Sequence, residues 1–311
     1  MTAVKANGID IEYEDLGPRD GPVIVMIMGL GMQLIAWPDA LCEGLAGRGF
    51  RVIRFDNRDA GLSTKMASAG HFPVAPLVAL AFLRLPVRPP YTLNDMALDT
   101  LGLMDALGIA RAHVVGASMG GMIAQIIAAE HPDRVSSLVS LLSSSGNHAV
   151  PGPEPKVLRA LIRPRRRSDR AHAVREIMNF LRLIGSPGYS TSDAELRAKV
   201  ERSVARCYYP QGFTRQLLAI LTAADRRPLL RRIRAPALVL HGAEDPFVPS
   251  AAGVDTAANI PGARLRIIPG MGHDLPAALV PFLVDAIAEH CLNAQEEAGG
   301  ASARRAAGGS A

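Results

Sequence analysis

A short apolar strand, an abrupt bend and the start of a helix lie between Ala112 and Gln125, with a serine at the bend. His113-Val114-Val115 suits a strand buried on both faces, and Met119, Met122, Ile123, Ile126 and Ile127 recur at helical spacing until Pro132 ends the pattern. Strand and helix must then crowd each other at the bend, and Gly116, Gly120 and Gly121 supply positions without a Cβ where they do. In this setting the Gly-x-Ser-x-Gly spacing holds the Ser118 oxygen in the open at the edge of a sheet and leaves the Met119 N–H free to face a developing oxyanion. A five-residue match alone arises by chance in loops; the strand before it and the helix after it turn it into a statement about chemistry.

The remaining chain has the rhythm such a strand needs. Residues 2 to 16 alternate around the turn dipeptide Asn7-Gly8, which predicts an edge hairpin. Val23 to Met28 and Phe50 to Phe55 are continuous apolar strands, the first ending in Gly29-Leu30-Gly31 and the second in Asp56-Asn57-Arg58-Asp59-Ala60-Gly61-Leu62-Ser63. Trp37 lies in a helical pattern between them as a core residue. Leu93 to Leu107 predicts a helix capped by Thr92 or Asn94 and stopped at Gly108. Val135 to Leu142, Ala237 to Leu240 and Ala263 to Ile268 complete the strands, and 278 to 291 makes a closing amphipathic helix. Apolar strands alternating with helices predict an α/β fold with a mostly parallel, doubly wound sheet covered on both faces.

Between 147 and 232 the rhythm breaks: Ala173 to Leu183 and Ala194 to Tyr208 have helical patterns, and no strand of the earlier kind occurs. The expected organisation is a core of 1–146 and 233–292, an inserted helical cap of 147–232 over the carboxyl edge of the sheet, and a disordered tail of 293–311. That tail is Ala, Gly, Ser and Arg with no apolar face.

Composition narrows the class. In 311 residues, 49% are apolar and 20% charged, as in ordinary soluble domains. The net charge of +5 is mild, and the arginine clusters at Arg163 to Arg167 and Arg226 to Arg234 lack interleaved aromatics, so no nucleic-acid partner is expected. Cys42, Cys207 and Cys291 are odd in number and far apart, which fits a reducing compartment without a disulfide framework or a metal site. Met1 to Asp15 has acidic residues and no apolar core of signal-peptide length, so export by that route is not expected, and Phe72 to Leu83, interrupted by Pro73 and Pro76, falls short of the ~20 residues a bilayer requires. The expectation is a cytoplasmic protein with no membrane partner.

A serine hydroxyl needs a base, usually a histidine oriented by a carboxylate. The strand Ala237 to Leu240 leads into Gly242-Ala243-Glu244-Asp245-Pro246, whereas the strand Val135 to Leu142 is followed only by serines, glycine and asparagine. Asp245 is therefore the orienting acid and Glu244 a surface or turn residue. Of eight histidines only His273 and His290 follow Asp245, and His273 lies in the loop after the last strand while His290 lies in the closing helix. The order Ser118, Asp245, His273, each after its own strand, selects His273 as the base; His241 and His113 read as packing. Two N–H donors must hold the oxyanion: Met119, and one from the Gly29-Leu30-Gly31 turn, with Leu30 favoured and its neighbours possible.

These segments resemble the α/β-hydrolase superfamily over residues 5 to 292, through Gly116-Ala117-Ser118-Met119-Gly120, Asp56 to Ser63, Gly242-Ala243-Glu244-Asp245 and Gly272-His273. Met28-Gly29-Leu30-Gly31 and the Asp56 to Ser63 turn resemble a bacterial esterase branch that includes aclacinomycin methylesterase-like proteins, although many relatives carry His-Gly where this chain has Met28-Gly29. Serine rather than aspartate at 118 argues against dehalogenase or epoxide-hydrolase chemistry. The resemblance implies a serine carboxylesterase that needs no metal or organic cofactor and acts on a small-molecule ester of small to medium, largely apolar acyl group. Perhydrolysis and carbon–carbon bond hydrolysis begin from the same three residues, and a non-catalytic ligand-binding role is a further alternative. Residues 72 to 85 and cap residues Met178, Phe180, Leu181 and Leu183 are candidates for the pocket wall, or else plain helix packing.

Overall fold

The turn Asn7-Gly8 adopts positive φ at both positions (49° and 80°), the geometry that closes a two-residue hairpin, and joins β1 (Thr2–Ala6) to β2 (Ile9–Leu16). This computed structural model describes residues 2–69, 76, 87–162 and 169–308, with side chains as far as 297. The expected wall at 72–85, Pro76 apart, and the arginine run 163–167, Arg163 to Arg167, lie outside the described residues. The hairpin is the antiparallel edge of an eight-stranded sheet in the order β1-β2-β4-β3-β5-β6-β7-β8. From β4 (Arg51–Phe55) onward, through β3 (Val23–Ile27), β5 (Ala112–Ala117), β6 (Val135–Leu141), β7 (Ala237–Gly242) and β8 (Arg264–Ile268), neighbours are parallel.

Alternation along β3 shows how both faces are filled. Val25 and Ile27 join one apolar cluster with α2 (Leu93–Ala106) and α3 (Met119–Glu130), whereas Ile24 and Met26 join another with α1 (Asp39–Gly47) and α10 (Val280–Gly308). Successive strand residues point to opposite faces, so a continuous apolar run is what a sheet covered on both sides requires. Trp37 is fully buried in the second cluster. Thr92 rather than Asn94 caps α2, through a capping box with Asp95, because Asn94 lies past the cap and reaches Glu130 instead.

Between β6 and β7 the described chain forms only helices: α4 (Pro155–Ile162), α5 (Arg170–Ile184), α6 (Asp193–Arg206), α7 (Pro210–Leu221) and the short α8 (Arg227–Leu230). Asp169 caps α5, Ser192 forms a capping box with Glu195 on α6, and Pro210 starts α7, where its missing N–H costs nothing. After β7 comes α9 (Ser250–Asn259).

The closing helix departs from expectation at its end. Instead of losing structure at Asn293 it runs as far as Gly308, with Ala294 buried and Gln295 reaching His113 Nε2 at 2.9 Å. Ala, Gln and Glu are good helix formers, and these two side chains find partners on the core where a search for an apolar face sees none. The stretch Ala277–Glu297 is long and apolar enough to cross a membrane by length and composition, with 56% of its most apolar window buried within the fold.

Burial under α10 fixes two neutral histidines. His113 lies between Ser137 Oγ (2.8 Å) and Gln295 Nε2, and burial pushes its pKa down to about 4. His290 accepts from Arg264 at Nδ1 (2.9 Å) and donates from Nε2 to the Leu138 and Pro236 carbonyls (both 3.2 Å); burial, then the Arg264 charge, take it down to about 4 as well. Burial also raises the thiols of Cys42 to about 11 and Cys291 to about 12, so both stay protonated.

In the unfolded chain these imidazoles titrate near 6.5, so between pH 6.5 and 4 the unfolded state binds more protons. Their contribution is complete above pH 6.5 and is lost on acidification through that window, on the order of 3 kcal/mol for each and less than additive because the two interact. Urea unfolding should therefore show a clear loss of stability from pH 7.5 to pH 5. His290→Gln, which keeps the same donor and acceptor pattern without titrating, should flatten that slope.

Candidate active site

Ser118 sits at φ 55°, ψ −119°, a conformation that non-glycine residues occupy only when the surroundings impose it. Its N–H donates to Leu141 O at 2.8 Å, and its carbonyl accepts from Ser143 Oγ at 2.8 Å and from the N–H groups of Gly121 and Met122. The chain can bend so sharply because a Cβ on Gly120 would lie 2.0 Å from Ile27 O. Since α3 begins at Met119, that N–H is a first-turn donor with no helical acceptor, and the positive end of the helix faces the serine.

The loops after β7 and β8 bring the other two residues to this serine. His273 Nδ1 lies 2.6 Å from Asp245 Oδ2, and His273 Nε2 lies 3.0 Å from Ser118 Oγ. A carboxylate only accepts, so Nδ1 carries the proton and Nε2 presents its lone pair to the serine hydroxyl. Asp245 Oδ1 accepts from the Phe247 and Val248 N–H groups at 2.9 and 2.8 Å. His241, expected to pack, also steadies this turn: its Nε2 donates to Val248 O at 2.7 Å, 3.6 Å from Asp245 Oδ2, and burial holds it below its ordinary pKa, hence neutral. Glu244 is exposed and accepts from Gly270 N, a turn contact.

The Gly29-Leu30-Gly31 turn lies against the elbow, since a Cβ on Gly29 would stand 3.1 Å from Ser118 Cβ. Gly31 N is already bonded to Gln216 Oε1 at 2.7 Å, whereas the Leu30 and Met119 N–H groups have no partner among the described residues. Asn57 Nδ2 holds the Met28 carbonyl at 2.9 Å. An exchangeable hydrogen on the serine, a base with its lone pair aligned and two open amide donors can together support acyl transfer.

The pocket candidates separate. Met178 and Leu181 pack with Val174, Val200 and Val204 inside the cap, facing α6 and not Ser118, because residues three and four apart on α5 share the face that meets α6. Phe180 lies on the other face, edge-on to Phe247 at 5.8 Å, and Phe247 is edge-on to His273 at 4.9 Å. Phe247, two residues beyond the acid, carried no signal in the sequence. The end of α5 also grips the histidine loop: Ile184 O accepts from His273 N (2.7 Å), and Ser186 Oγ accepts from Gly272 N (2.9 Å) and donates to Asp274. Burial raises the Asp274 pKa.

A buried ionic cluster joins cap to core. Arg215 of α7 donates to both oxygens of Asp59 (2.8 and 2.7 Å), and Tyr91 Oη donates to the same carboxylate. Arg206 of α6 reaches Asp56 at 2.7 Å, whose carboxylate also accepts from Leu34 and Leu62 N–H. Gly61 is required here, because a Cβ would fall 1.9 Å from Asp56 Oδ2. Arg58 forms a fork with Asp99 at 2.5 and 2.7 Å. The Asp56 to Ser63 segment is thus the seat on which the cap rests. Among the described residues no cluster of three or more His, Cys, Asp or Glu side chains is placed to hold a metal.

The chain belongs to the α/β hydrolase fold family, whose match spans residues 22–276. It is 28% identical over 295 residues to a rhodomycin D methylesterase of Streptomyces sp. (strain C5), covering 88% of this chain and 91% of that protein. It is also 27% identical over 271 residues to a 2-hydroxy-6-oxononadienedioate/2-hydroxy-6-oxononatrienedioate hydrolase of Burkholderia vietnamiensis, with 85% and 84% covered. Among solved structures, the meta-cleavage product hydrolase of Pseudomonas fluorescens IP01 superposes with a TM-score of 0.73 at 20% identity, covering 94% and 98% of the two chains, a likeness of fold.

Arg215→Met leaves the buried Asp59 carboxylate with the neutral donors Tyr91 Oη and Met66 N–H and takes away the guanidinium that balances its charge, so it should lower unfolding free energy by about 3–5 kcal/mol. Adding Asp59→Asn should recover part of that loss, which denaturant unfolding of the single and double variants will measure.

Proposed function

We propose that this protein is a serine carboxylesterase acting on small to medium, largely apolar esters. The observation that carries the reading is the unbroken line from Asp245 Oδ2 through His273 to Ser118 Oγ, at 2.6 and 3.0 Å, beside two amide donors without a partner among the described residues. Ser118 attacks the ester carbonyl while His273 Nε2 takes its proton. The tetrahedral oxyanion is held by Leu30 and Met119 N–H; His273 then protonates the departing alcohol, leaving an acyl-enzyme that water resolves by the same route. Asp245 keeps the imidazole in the required tautomer and stabilises the imidazolium as it forms. The Phe180–Phe247 pair beside His273 supports an apolar acyl group, and the methylesterase name of one relative supports ester hydrolysis.

A second reading, hydrolysis of a carbon–carbon bond in a vinylogous diketone, is favoured by one observation: a relative of nearly the same coverage is named for a dienedioate hydrolase.

A fluorophosphonate should label wild type and leave Ser118→Ala unlabelled, and nitrophenyl ester turnover should vanish in that variant. Asp245→Asn should retain the fold and lose on the order of 10⁴ in turnover, since the asparagine amide favours the wrong tautomer; Glu244→Gln should stay near wild type. A Ser118→Ala protein with full ester turnover would overturn the proposal, and spectral loss of a vinylogous diketone outpacing every ester would replace it with the second reading. On a nitrophenyl ester series, Phe180→Ala should shift the preferred acyl length; an unchanged profile removes Phe180 from the pocket.

A further inference from the structure

We propose that Gln216, a cap residue remote in sequence from every loop that carries the site, positions the Leu30 N–H over Ser118. The inference rests on the esterase reading above.

The turn that bears Leu30 has little of its own to hold it. Its first residue, Met28, has an apolar side chain, and among the described residues the one backbone bond within the turn is Met32 N donating to Gly29 O at 3.2 Å. Two side chains restrain it from outside. Asn57 holds the Met28 carbonyl below, and Gln216 holds the Gly31 N–H above. Gln216 is 1% exposed and uses both ends of its amide: Oε1 accepts from Gly31 N at 2.7 Å, and Nε2 donates to Arg58 O at 2.7 Å. The two backbone partners, one a donor and one an acceptor, settle which way round the amide lies. One side chain thereby ties the turn after β3 to the segment after β4.

Its neighbour gives this tie a fixed origin. Arg215, one residue earlier on α7, is clamped to Asp59 in the same segment, so the height of α7 above the sheet is set by a buried ion pair. Gly31 lies at φ 68°, and Phe213 of the same helix fills the space where its Cβ would stand, 2.6 Å away. With Gly31 N committed to the cap, it is withdrawn from the oxyanion, and Leu30 N, which has no partner among the described residues, is the donor the esterase reading uses. A small rotation of the unrestrained turn would misalign that donor with the oxyanion while leaving the ester-binding walls in place. Such a loss falls on the transition state and spares ground-state binding.

The test uses Gln216→Met, which matches the side chain in length but makes neither hydrogen bond, and Gln216→Glu, which keeps an acceptor for Gly31 N. Both are compared with wild type at a temperature well below each unfolding midpoint. In the Met variant, kcat for a nitrophenyl ester should fall about 10- to 100-fold with KM within about threefold, the range expected for a displaced but present oxyanion donor. The inhibition constant of a trifluoromethyl ketone, which is attacked to give a tetrahedral adduct, should rise by a similar factor; that of the matched secondary alcohol, which cannot be attacked, should not. Gln216→Glu should recover most of the kcat loss. A folded Met variant whose kcat and ketone affinity stay within twofold of wild type overturns the proposal, as does an equal loss of ketone and alcohol binding, which marks general loosening. If Gln216→Met does not fold, Gln216→Asn, too short to span both partners, carries the same comparison. A wild-type protein that neither turns over esters nor takes the fluorophosphonate defeats the esterase reading itself, an outcome distinct from any of these.

Discussion

The Asp59–Arg215 pair is the constraint on which the arrangement of the site depends. Both side chains are almost wholly removed from water, so each charge is tolerable only with the other in place. Asp59 belongs to the segment after β4 and Arg215 to a helix inserted between β6 and β7; their fork of hydrogen bonds gives the cap a single register on the core. Around it, Arg206 reaches Asp56, Gln33 Nε2 bonds Ser203 and Cys207 carbonyls, and Gln216 spans to Gly31. Apolar packing alone permits small slides of one helix over another, whereas directional bonds between buried charges and amides do not.

That register matters because the proposed machinery is shared between core and cap. The elbow, the acid turn and the oxyanion turn all sit at carboxyl ends of sheet strands, yet the histidine loop is bonded through its backbone to the end of α5 at Ile184 and Ser186. Phe247 and Phe180 extend the same connection through ring contacts. The inserted helices are therefore built into the positioning of the site. The strain at Ser118 is carried the same way, by Leu141 and Ser143 on the neighbouring strand and its loop.

Much of the fold was legible because its signals are local. Strand runs of β-branched residues, Asn7-Gly8 at the hairpin and the spacing of Met119, Met122 and Ile123 depend on residues within a few positions of one another. The order Ser118, Asp245, His273 was legible too, since in an alternating sheet each strand end has one loop and few of those loops hold a suitable side chain. Less was legible where partners are distant in sequence. Met178, Phe180 and Leu181 are equally apolar, and which of them meets the Phe247 ring beside His273 follows from where α6 lies. The extension of α10 beyond Asn293 depends on Ala294 and Gln295 meeting the core.

Taken alone, the sequence determined the doubly wound α/β architecture and the tight bend at Ser118, because backbone sterics, periodicity and turn chemistry act over short range. Only the tertiary structure decided that His241 steadies the turn after β7, that Phe247 meets His273 edge-on, that Gly31 N is taken by Gln216, and that Arg215 and Gln216 fasten the cap to the segment after β4. Each of these is a contact between residues far apart in the chain. Its energy depends on distance, direction and exclusion of water, quantities that exist only once the elements have packed.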